Sequence, residues 1–519
     1  MSNLPSFSLR FVVDSGFSSP GIWTRHKGWA CSFETRTASH RRLLGTALAA
    51  AFFLFLAGSA NAAAQTATVN WTNQHQVIDG FGASNVFYSA PMSSANQQFF
   101  FGTGSGQIGL SLLRVGITNT ADSGGSFSNT CLAVSAQCAG PVLSDMQACV
   151  SNGCRVYATA FSPPPSYTTN GSTVCSANGG DGQLATSHYA DFATWLSNFT
   201  LSVPANTSSP QVHIYAMSLQ NEPNGCWSSD STEYSASQLD TFIKNNLGPT
   251  LAANGSGTLL LAPETNVFSD FQSWGNTCAT DSSCAQYLAG FNSHDYDANV
   301  GSGYSVTPDP YPGGWPSGKK YWMTEASCFL NGSTPEGPNF CPSGVNPGIP
   351  EALNWAAVID QRMQDGFQTY LYWELIAKNA DDEGLIDSDG TTITSRAWVF
   401  GQYSKFVRPG YYRIDATHTP QSGVTVSAYQ NTPKNALVII ATNYTGSAVS
   451  QTFNLTNAPT FSTLTPTITS ASLSLAAQSN VSVSGNSFTY TLPANSITTF
   501  VGSASTPPAP TNLSGTVVQ

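Results

Sequence analysis

The chain has 519 residues, of which 41% are hydrophobic and only 9% are charged, and its formal net charge is −11. This length suggests a domain or two with accessory segments. An acidic chain of this kind argues against nucleic acid and anionic membranes as partners, because both carry negative charge.

Residues 1–64 have the pattern of a secretory signal with an extended N-terminal region. Arg41 and Arg42 precede an apolar run at 43–56, and small residues at 58–62 supply an A-x-A-like cleavage site. A membrane anchor is the alternative, but the run is shorter than the roughly 20 residues that a spanning helix needs. We therefore expect a secreted protein, extracellular or periplasmic, with no membrane partner.

Ten of the eleven cysteines follow residue 64, and an even number in an oxidising compartment favours disulfides. Zinc binding is the alternative, but no CxxC pair with a second CxxC or with histidines occurs, so we expect no metal. Local spacing suggests the pairs Cys131–Cys138, Cys149–Cys154, Cys278–Cys284 and Cys328–Cys341, which leaves Cys175 with Cys226.

The first elements read as strands. Residues 66–78 alternate in polarity, and the Asp-Gly-Phe-Gly segment at 79–82 permits a tight turn. Apolar runs follow at 108–116 and 155–161, and the first of them includes Arg114 near its end. An arginine there is costly unless a carboxylate pairs with it.

Residues 214–225 begin as a short apolar strand and stop at Asn221, Glu222 and Pro223. Proline cannot donate to a strand ladder and biases the preceding residue toward an extended conformation, so we expect Glu222 where a strand gives way to a loop. In a parallel α/β barrel, catalytic groups project from that end of the strands. An ordinary solvated acid is the alternative interpretation of Glu222 considered alone.

Residues 320–328 repeat the pattern, with an apolar strand that ends in Glu325. Since only 9% of the chain is charged, acids that end buried strands are scarce. Two facing carboxyl groups are what cleavage of a glycosidic bond requires. One protonates the leaving oxygen, and the other attacks the anomeric carbon or activates water.

The remaining pattern alternates helices and strands. His294 follows a predicted strand and is either a core histidine or a site residue. Trp373 lies in a later predicted strand and is either a core tryptophan or a flat face for a pyranose ring. The predicted helices are 191–198, 236–246 and 352–364, and further strands are predicted at 259–264, 287–293 and 368–375. Beyond residue 411 only strands are predicted, at 424–429, 436–441, 451–455, 487–492 and 497–501.

The segments Asn221-Glu222-Pro223 and Thr324-Glu325 resemble the acid/base and nucleophile strands of retaining clan A glycosidases, and more narrowly those of glycoside hydrolase family 30. Residues 395–415 resemble the final helix and exit of that family. The resemblance covers residues 66–503 and implies an α/β fold, a (β/α)8 TIM barrel with an attached β-sandwich side domain. We expect the barrel at 79–410, the side domain at 65–78 and 411–503, and a Pro/Ser/Thr-rich tail at 504–519.

The resemblance also implies the roles of the site residues, with no cofactor and with a monomeric protein. Glu222 is the acid/base and must be protonated, whereas Glu325 is the nucleophile and must be ionised. The implied substrate-binding residues are Asn221 at the sugar 2-hydroxyl, Arg114 holding the nucleophile and lowering its pKa, His294, Tyr296 contacting the nucleophile, and Trp373. The turn at 79–82 is expected at the sugar-binding face.

The segment 406–417 is most similar to the bacterial xylanase branch, which favours β-1,4-xylan as the polysaccharide substrate. The loop 376–383 has Lys378 and three acids but no arginine, which argues against recognition of glucuronic acid side groups. An endo-β-1,6-galactanase or β-1,6-glucanase is the alternative enzyme. A carbohydrate-binding protein that has lost catalysis is the alternative of another class, and the presence of both glutamates argues against it.

Overall fold

The computed structural model describes residues 65–86, 88, 90–117, 143–331, 334–342, 348–378 and 384–504. The predicted signal at 1–64, the predicted Cys131–Cys138 pair, the acids at 381–383 and residues 505–519 of the predicted tail lie outside these ranges. Among the described residues, no helix has both the length and the apolar character that a membrane crossing requires.

A parallel eight-stranded barrel makes up the first part of the fold. Strand β1 (Thr66–Val77) precedes the barrel. The eight barrel strands are β2 (Gly80–Ser84), β3 (Leu112–Ile117), β4 (Arg155–Ala160), β5 (Ile214–Ser218), β6 (Leu259–Thr265), β7 (Leu288–His294), β8 (Lys320–Glu325) and β11 (Thr369–Ile376). The hairpin of β9 (Phe329–Asn331) and β10 (Thr334–Glu336) lies between β8 and β11 in the chain. Strand β11 pairs in parallel with both β8 and β2, which closes the barrel, and β12 (Gly384–Ile386) adds to it from outside.

Helices connect most of these strands. They are Ser94–Phe101, Leu143–Ser151, Tyr189–Ala205, Ala236–Phe242, Gly248–Asn254, Phe268–Thr280, Ser282–Ala285, Ile349–Gln364 and Ser395–Ser404. The helix predicted at 191–198 is longer, because Phe199 and Val203 continue the buried helical spacing of Phe192 and Leu196 beyond that range. The helix predicted at 236–246 passes into a π-helical turn, Ile243–Leu247, and then into Gly248–Asn254.

The barrel interior is filled by side chains from six strands: Leu112, Tyr157, Ala216, Leu261, Trp322 and Leu371. At the amino ends of the strands, Asp79 accepts hydrogen bonds from Lys320 Nζ at 2.6 Å and from Trp322 Nε1 at 2.9 Å. The expected position of the 79–82 turn at the sugar-binding face is therefore wrong. Asp79 precedes its strand and lies at the opposite end of the barrel, where it neutralises Lys320.

A ten-stranded sheet forms the second part of the fold. It contains β1 together with β13 (Tyr412–Ala416), β14 (Val424–Gln430), β15 (Ala436–Asn443), β16 (Val449–Thr456), β17 (Thr463–Ser470), β18 (Leu473–Ala477), β20 (Ser487–Leu492) and β21 (Ser496–Ser503), with the short β19 (Val481–Ser482) paired to β17. Strand β1 lies between β13, to which it is antiparallel, and β16, to which it is parallel.

This sheet folds over on itself into a sandwich. Phe453 and Phe488 stack at 4.7 Å on one arm, and both pack at 5.3 Å against Phe500 on the other arm. The sandwich is joined to the barrel through the helix Ser395–Ser404, where Thr499 Oγ1 donates to the carbonyl of Gln402 at 3.0 Å. The side domain thus supports a barrel helix.

Candidate active site

Glu222 lies just beyond the carboxyl end of β5 in a left-handed backbone conformation, with φ of +47°. A residue other than glycine adopts this region at a cost, so the surrounding structure must hold it there. The backbone N–H of Glu222 donates to the carbonyl of Glu264 at 3.0 Å, and that of Asn221 donates to Ala160 at 2.7 Å. The two neighbouring strands therefore fix the chain on which the Glu222 side chain is carried.

Glu325 is the last residue of β8, and both of its carboxylate oxygens are hydrogen-bonded. Arg114 Nη1 donates to Oε2, and the Tyr296 hydroxyl donates to Oε1 at 2.8 Å. Arg114 extends from β3 and is fully buried, so its cationic group requires this partner. The sequence-predicted residues Arg114, Tyr296 and Glu325 are brought together by three different parts of the barrel.

His294 lies between the two predicted catalytic glutamates. Its Nδ1 is 2.9 Å from Glu222 Oε1 and 3.6 Å from Glu325 Oε1. One carboxylate oxygen of Glu222, one of Glu325 and a ring nitrogen of His294 all lie within 4.8 Å of one another. The two carboxyl groups thus face each other across a short gap at one end of the barrel.

Glu264 is a site residue that the sequence reasoning missed. It ends the strand predicted at 259–264, is fully buried, and accepts hydrogen bonds from Arg114 Nη2 at 3.1 Å and from Thr159 Oγ1 at 3.2 Å. His294 Nε2 lies 3.4 Å from the same carboxylate. The available signal was the one that identified Glu222 and Glu325, an acid ending an apolar strand in a weakly charged chain.

Asn221 and Trp373 line the open side of this cluster. Arg114 Nη2 donates to Asn221 Oδ1 at 2.6 Å, which fixes the orientation of the amide and leaves its NH2 group as a donor. The Arg114 guanidinium carbon lies 5.6 Å from the Trp373 ring and 5.5 Å from the Phe161 ring. Trp373 is half-buried, so it combines a packing contact with a face on the cleft.

The charges of the cluster are strongly coupled. Burial lowers the pKa of His294, but Glu325, Glu222 and Glu264 outweigh it and raise this pKa to about 9. Burial also raises the pKa of Glu325, more than His294 and Arg114 lower it. Arg114 lowers the pKa of Glu325 as expected, but removal of the carboxyl group from water outweighs this effect, so the net shift of the pKa is upward.

The pKa of Glu264, unlike that of Glu325, shifts downward. Burial raises its pKa, but Arg114 and His294 together lower it below the ordinary value. Arg114 and protonated His294 then supply two positive charges to three carboxyl groups. Since an unbalanced buried charge is costly, the cluster favours one proton held by a carboxyl group. The site is therefore compatible with a reaction that needs one protonated and one ionised glutamate.

A cleft of about 510 Å³ opens above the cluster and includes Phe161, Tyr296, Phe329 and Glu336 in its lining. Trp227 also lines it and is exposed over 37% of its surface, although the sequence reasoning assigned it no role. Disulfides fix loops on both sides of the cleft. The predicted pairs Cys149–Cys154, Cys175–Cys226, Cys278–Cys284 and Cys328–Cys341 are all confirmed.

Three groups of described side chains are close enough to share a metal ion. Two of them contain cysteines that are already joined in disulfides. The third is Glu222, His294 and Glu325, in which a protonated imidazole has no lone pair to offer. The donor set of this third group therefore fits an ion-paired acid cluster better than a metal centre.

The chain matches two family descriptions. Residues 135–312 match the glycosyl hydrolase family 30 TIM-barrel domain, and residues 410–500 match the glycosyl hydrolase family 30 beta sandwich domain. The glucuronoxylanase XynC of Bacillus subtilis strain 168 is 31% identical over 450 residues, which are 85% of this chain and 92% of that protein.

Solved structures give the same result. The family 30 subfamily 8 xylanase Xyn30A of Clostridium acetobutylicum superposes with a TM-score of 0.67 at 29% identity, covering 85% of this chain and all of that one. A family 30 endoxylanase of Clostridium papyrosolvens has a TM-score of 0.66 at 30% identity, with the same coverage. With the paired glutamates and the barrel-plus-sandwich fold, these similarities identify the chain as a glycoside hydrolase of family 30.

Proposed function

We propose that the protein is a secreted, retaining endo-xylanase that cleaves β-1,4-linked xylan. The observation that carries the mechanism is the short gap between Glu222 and Glu325, whose nearest carboxylate oxygens lie within 4.8 Å. Retaining glycosidases hold their two carboxyl groups about 5–5.5 Å apart, whereas inverting enzymes need about 6.5–9.5 Å to admit a water molecule. The gap supports direct attack by one carboxylate.

In the first step, Glu325 attacks the anomeric carbon while Glu222 gives its proton to the departing glycosidic oxygen, so the old C–O bond breaks as the glycosyl-enzyme bond forms. In the second step, Glu222 removes a proton from water, the water oxygen bonds to the anomeric carbon, and Glu325 leaves as a carboxylate. Tyr296 and Arg114, which contact Glu325, hold its attacking carboxylate in place.

The choice of a neutral substrate rests on the charge of the cleft. The charged side chains among its described lining residues are Glu222, Asp230, Glu325 and Glu336, and no lysine, arginine or histidine is among them. A glucuronate side group would meet repulsion there. Two similar proteins are named glucuronoxylanase and xylanase, which supports a xylan backbone as the substrate.

Secretion is supported by the basic and apolar pattern at 41–62 and by the four disulfides of the described chain. We expect a mature monomer that begins after residue 64, with no partner other than its polysaccharide. Mass spectrometry of protein from the culture medium tests this. An intact N-terminal segment on medium protein, or retention inside the cell, would contradict it.

The mechanism is tested by following the anomer released first from xylohexaose by NMR, with β product expected. Glu325→Gln should abolish turnover of every substrate. Glu222→Gln should lower kcat/KM on xylohexaose about 10²–10⁴-fold but leave kcat/KM on β-xylobiosyl fluoride nearly unchanged, because kcat/KM covers only the steps up to the glycosyl-enzyme and fluoride leaves without a proton. Initial α product, or equal losses of Glu222→Gln on both substrates, would overturn the retaining assignment.

The substrate is tested by comparing kcat/KM on linear xylo-oligosaccharides, glucuronoxylan, β-1,6-galactan and β-1,6-glucan. We expect linear xylo-oligosaccharides to be cleaved at least as well as glucuronoxylan. A strong preference for glucuronoxylan that Lys378→Ala removes would make the protein a glucuronoxylanase. Turnover of a β-1,6-glycan without any xylan would assign it to the alternative activity, and no turnover by wild-type protein would favour a binding protein.

A further inference from the structure

Trp227 is the only exposed large hydrophobic residue among the described part of the chain, and it lies in the cleft wall. The proposed reaction leaves it without a role. An aromatic ring held out of the core loses the benefit of burial unless a ligand covers it. Its position therefore calls for a functional explanation.

The position of Trp227 is fixed by its surroundings. A Cβ atom at Gly225 would lie 2.2 Å from the Trp227 ring, so the ring rests directly against that glycine. The Trp227 carbonyl accepts from Ser176 N–H at 3.2 Å, and the disulfide Cys175–Cys226 joins the same two loops, with Cα atoms 5.1 Å apart. The ring is thus presented on a braced loop.

The barrel order places this loop relative to the reaction. Trp227 follows β5 and Trp373 is on β11, which is four strands away in a ring of eight. The Trp373 ring lies 5.6 Å from the guanidinium carbon of Arg114, the residue that binds Glu325, so Trp373 is on the nucleophile side of the cleft. Trp227 stands on the loop of Glu222, the proposed proton donor, half-way round the barrel from Trp373.

We propose that Trp227 is a specificity-determining residue that stacks against the sugar unit on the leaving-group side of the scissile bond. The inference rests on the proposed function, since Glu222 must face the leaving oxygen. The ring offers an apolar face to one face of a pyranose, and Gly225 allows it to lie flat. A neutral xylose, rather than a charged sugar, suits a wall that also contains Asp230.

The test compares two substrates that differ only beyond the scissile bond. Xylohexaose places sugars against Trp227, whereas β-xylobiosyl fluoride has no sugar in its leaving group. For Trp227→Ala we expect kcat/KM on xylohexaose to fall about tenfold or more relative to kcat/KM on the fluoride. Gly225→Ala, which displaces the ring without removing it, should lower the same ratio. Trp274→Ala, on an outer barrel helix, is the matched control and should leave the ratio unchanged.

Parallel losses on both substrates would show that Trp227 only supports the fold, and no loss on either would show that it binds nothing; each result overturns the inference. Failure of the proposed function is a separate outcome, because wild-type protein would then cleave neither substrate. If wild-type protein cleaves another β-glycan, the oligosaccharide of that glycan and its glycosyl fluoride replace the xylose pair.

Discussion

His294 sets the charge balance of the buried cluster, because it is the hydrogen-bonded neighbour of both Glu222 and Glu264. Its pKa in the folded protein is about 9, above the ordinary value of about 6.5. The protonated form is therefore stabilised by folding. The imidazolium of His294 therefore lies within ion-pair distance of the carboxyl groups of Glu222, Glu264 and Glu325.

We predict that the free energy of unfolding falls as pH rises through about 9. The contribution of His294 is fully present below about pH 6.5 and is lost above its folded-state pKa, with a magnitude of at most about 3 kcal/mol. Urea unfolding at pH 6.5 and 9.5 measures it. His294→Asn, which cannot be protonated, should remove most of this pH dependence.

The exposed His213 provides a matched control, since His213→Asn should keep the pH dependence of the wild-type protein. A wild-type protein that is equally stable at both pH values would contradict the charge assignment of the cluster. The comparison isolates one imidazole, because both variants carry the same replacement.

At the scale of residues, the sequence predicted which side chains form the site better than it predicted the directions of their pKa shifts. Glu222, Glu325, Arg114, His294 and Tyr296 were all identified from residue patterns and family resemblance, and the structure brings them together. Glu264 ends an apolar strand as Glu222 and Glu325 do, but its role was missed because it depends on contacts with β3 and β7. The direction of the Glu325 pKa shift could not be predicted, because burial is a property of the complete barrel rather than of a motif.

At the scale of elements, the close contact between β2 and β3 decides whether the barrel can close. A Cβ atom at Gly82 would lie 2.1 Å from the carbonyl oxygen of Leu112, which is a backbone atom and cannot rotate away. The glycine is needed here for space, because the strands must approach at the point where Gly82 pairs with Leu112.

Gly82→Ala should therefore destabilise the protein by roughly 1–3 kcal/mol, the usual cost of overpacking, or prevent folding. Gly446→Ala is the control, since nothing lies within 4 Å of a Cβ atom there. Thermal unfolding monitored by circular dichroism distinguishes them. Equal melting temperatures for the two variants would mean that the strands can separate without cost.

Strand prediction succeeded where apolar residues alternate or run continuously and failed where the strand is short or rich in threonine. The five sandwich strands predicted beyond residue 411 were all found, 487–492 with the predicted bounds and the other four one to three residues longer, but Tyr412–Ala416, Thr463–Ser470, Leu473–Ala477 and Val481–Ser482 were not predicted. The pairing of Thr463–Ser470 depends on β21, to which it is hydrogen-bonded over several residues. A polar strand of this kind is defined by its neighbours more than by its own hydrophobicity.

At the scale of the whole molecule, β1 connects the two ends of the described chain. Its Trp71 side chain is 6% exposed and packs edge-on against Phe461 at 5.6 Å. Strand β1 lies within the sandwich sheet, and the barrel begins directly after it. Loss of its packing should therefore affect the side domain first.

We predict that Trp71→Ala lowers the free energy of unfolding by about 3–5 kcal/mol, the cost of removing a buried aromatic side chain. Thr72→Ala, at the neighbouring exposed position, should change it by less than about 0.5 kcal/mol. Urea titration of both variants provides the measurement. Similar midpoints for the two would show that β1 is dispensable for the sandwich.

The central position of β1 also sets an order of events during synthesis. Val69 pairs with Ala416 of β13, 416 − 69 = 347 residues later in the chain, so at 5–20 residues per second β1 emerges roughly 17–70 s before the first strand that pairs with it. Over that interval Val69 and Trp71 have no sheet to pack against and form an apolar segment that a chaperone can hold. Completion of the smaller domain is thereby delayed until nearly the entire chain has left the ribosome.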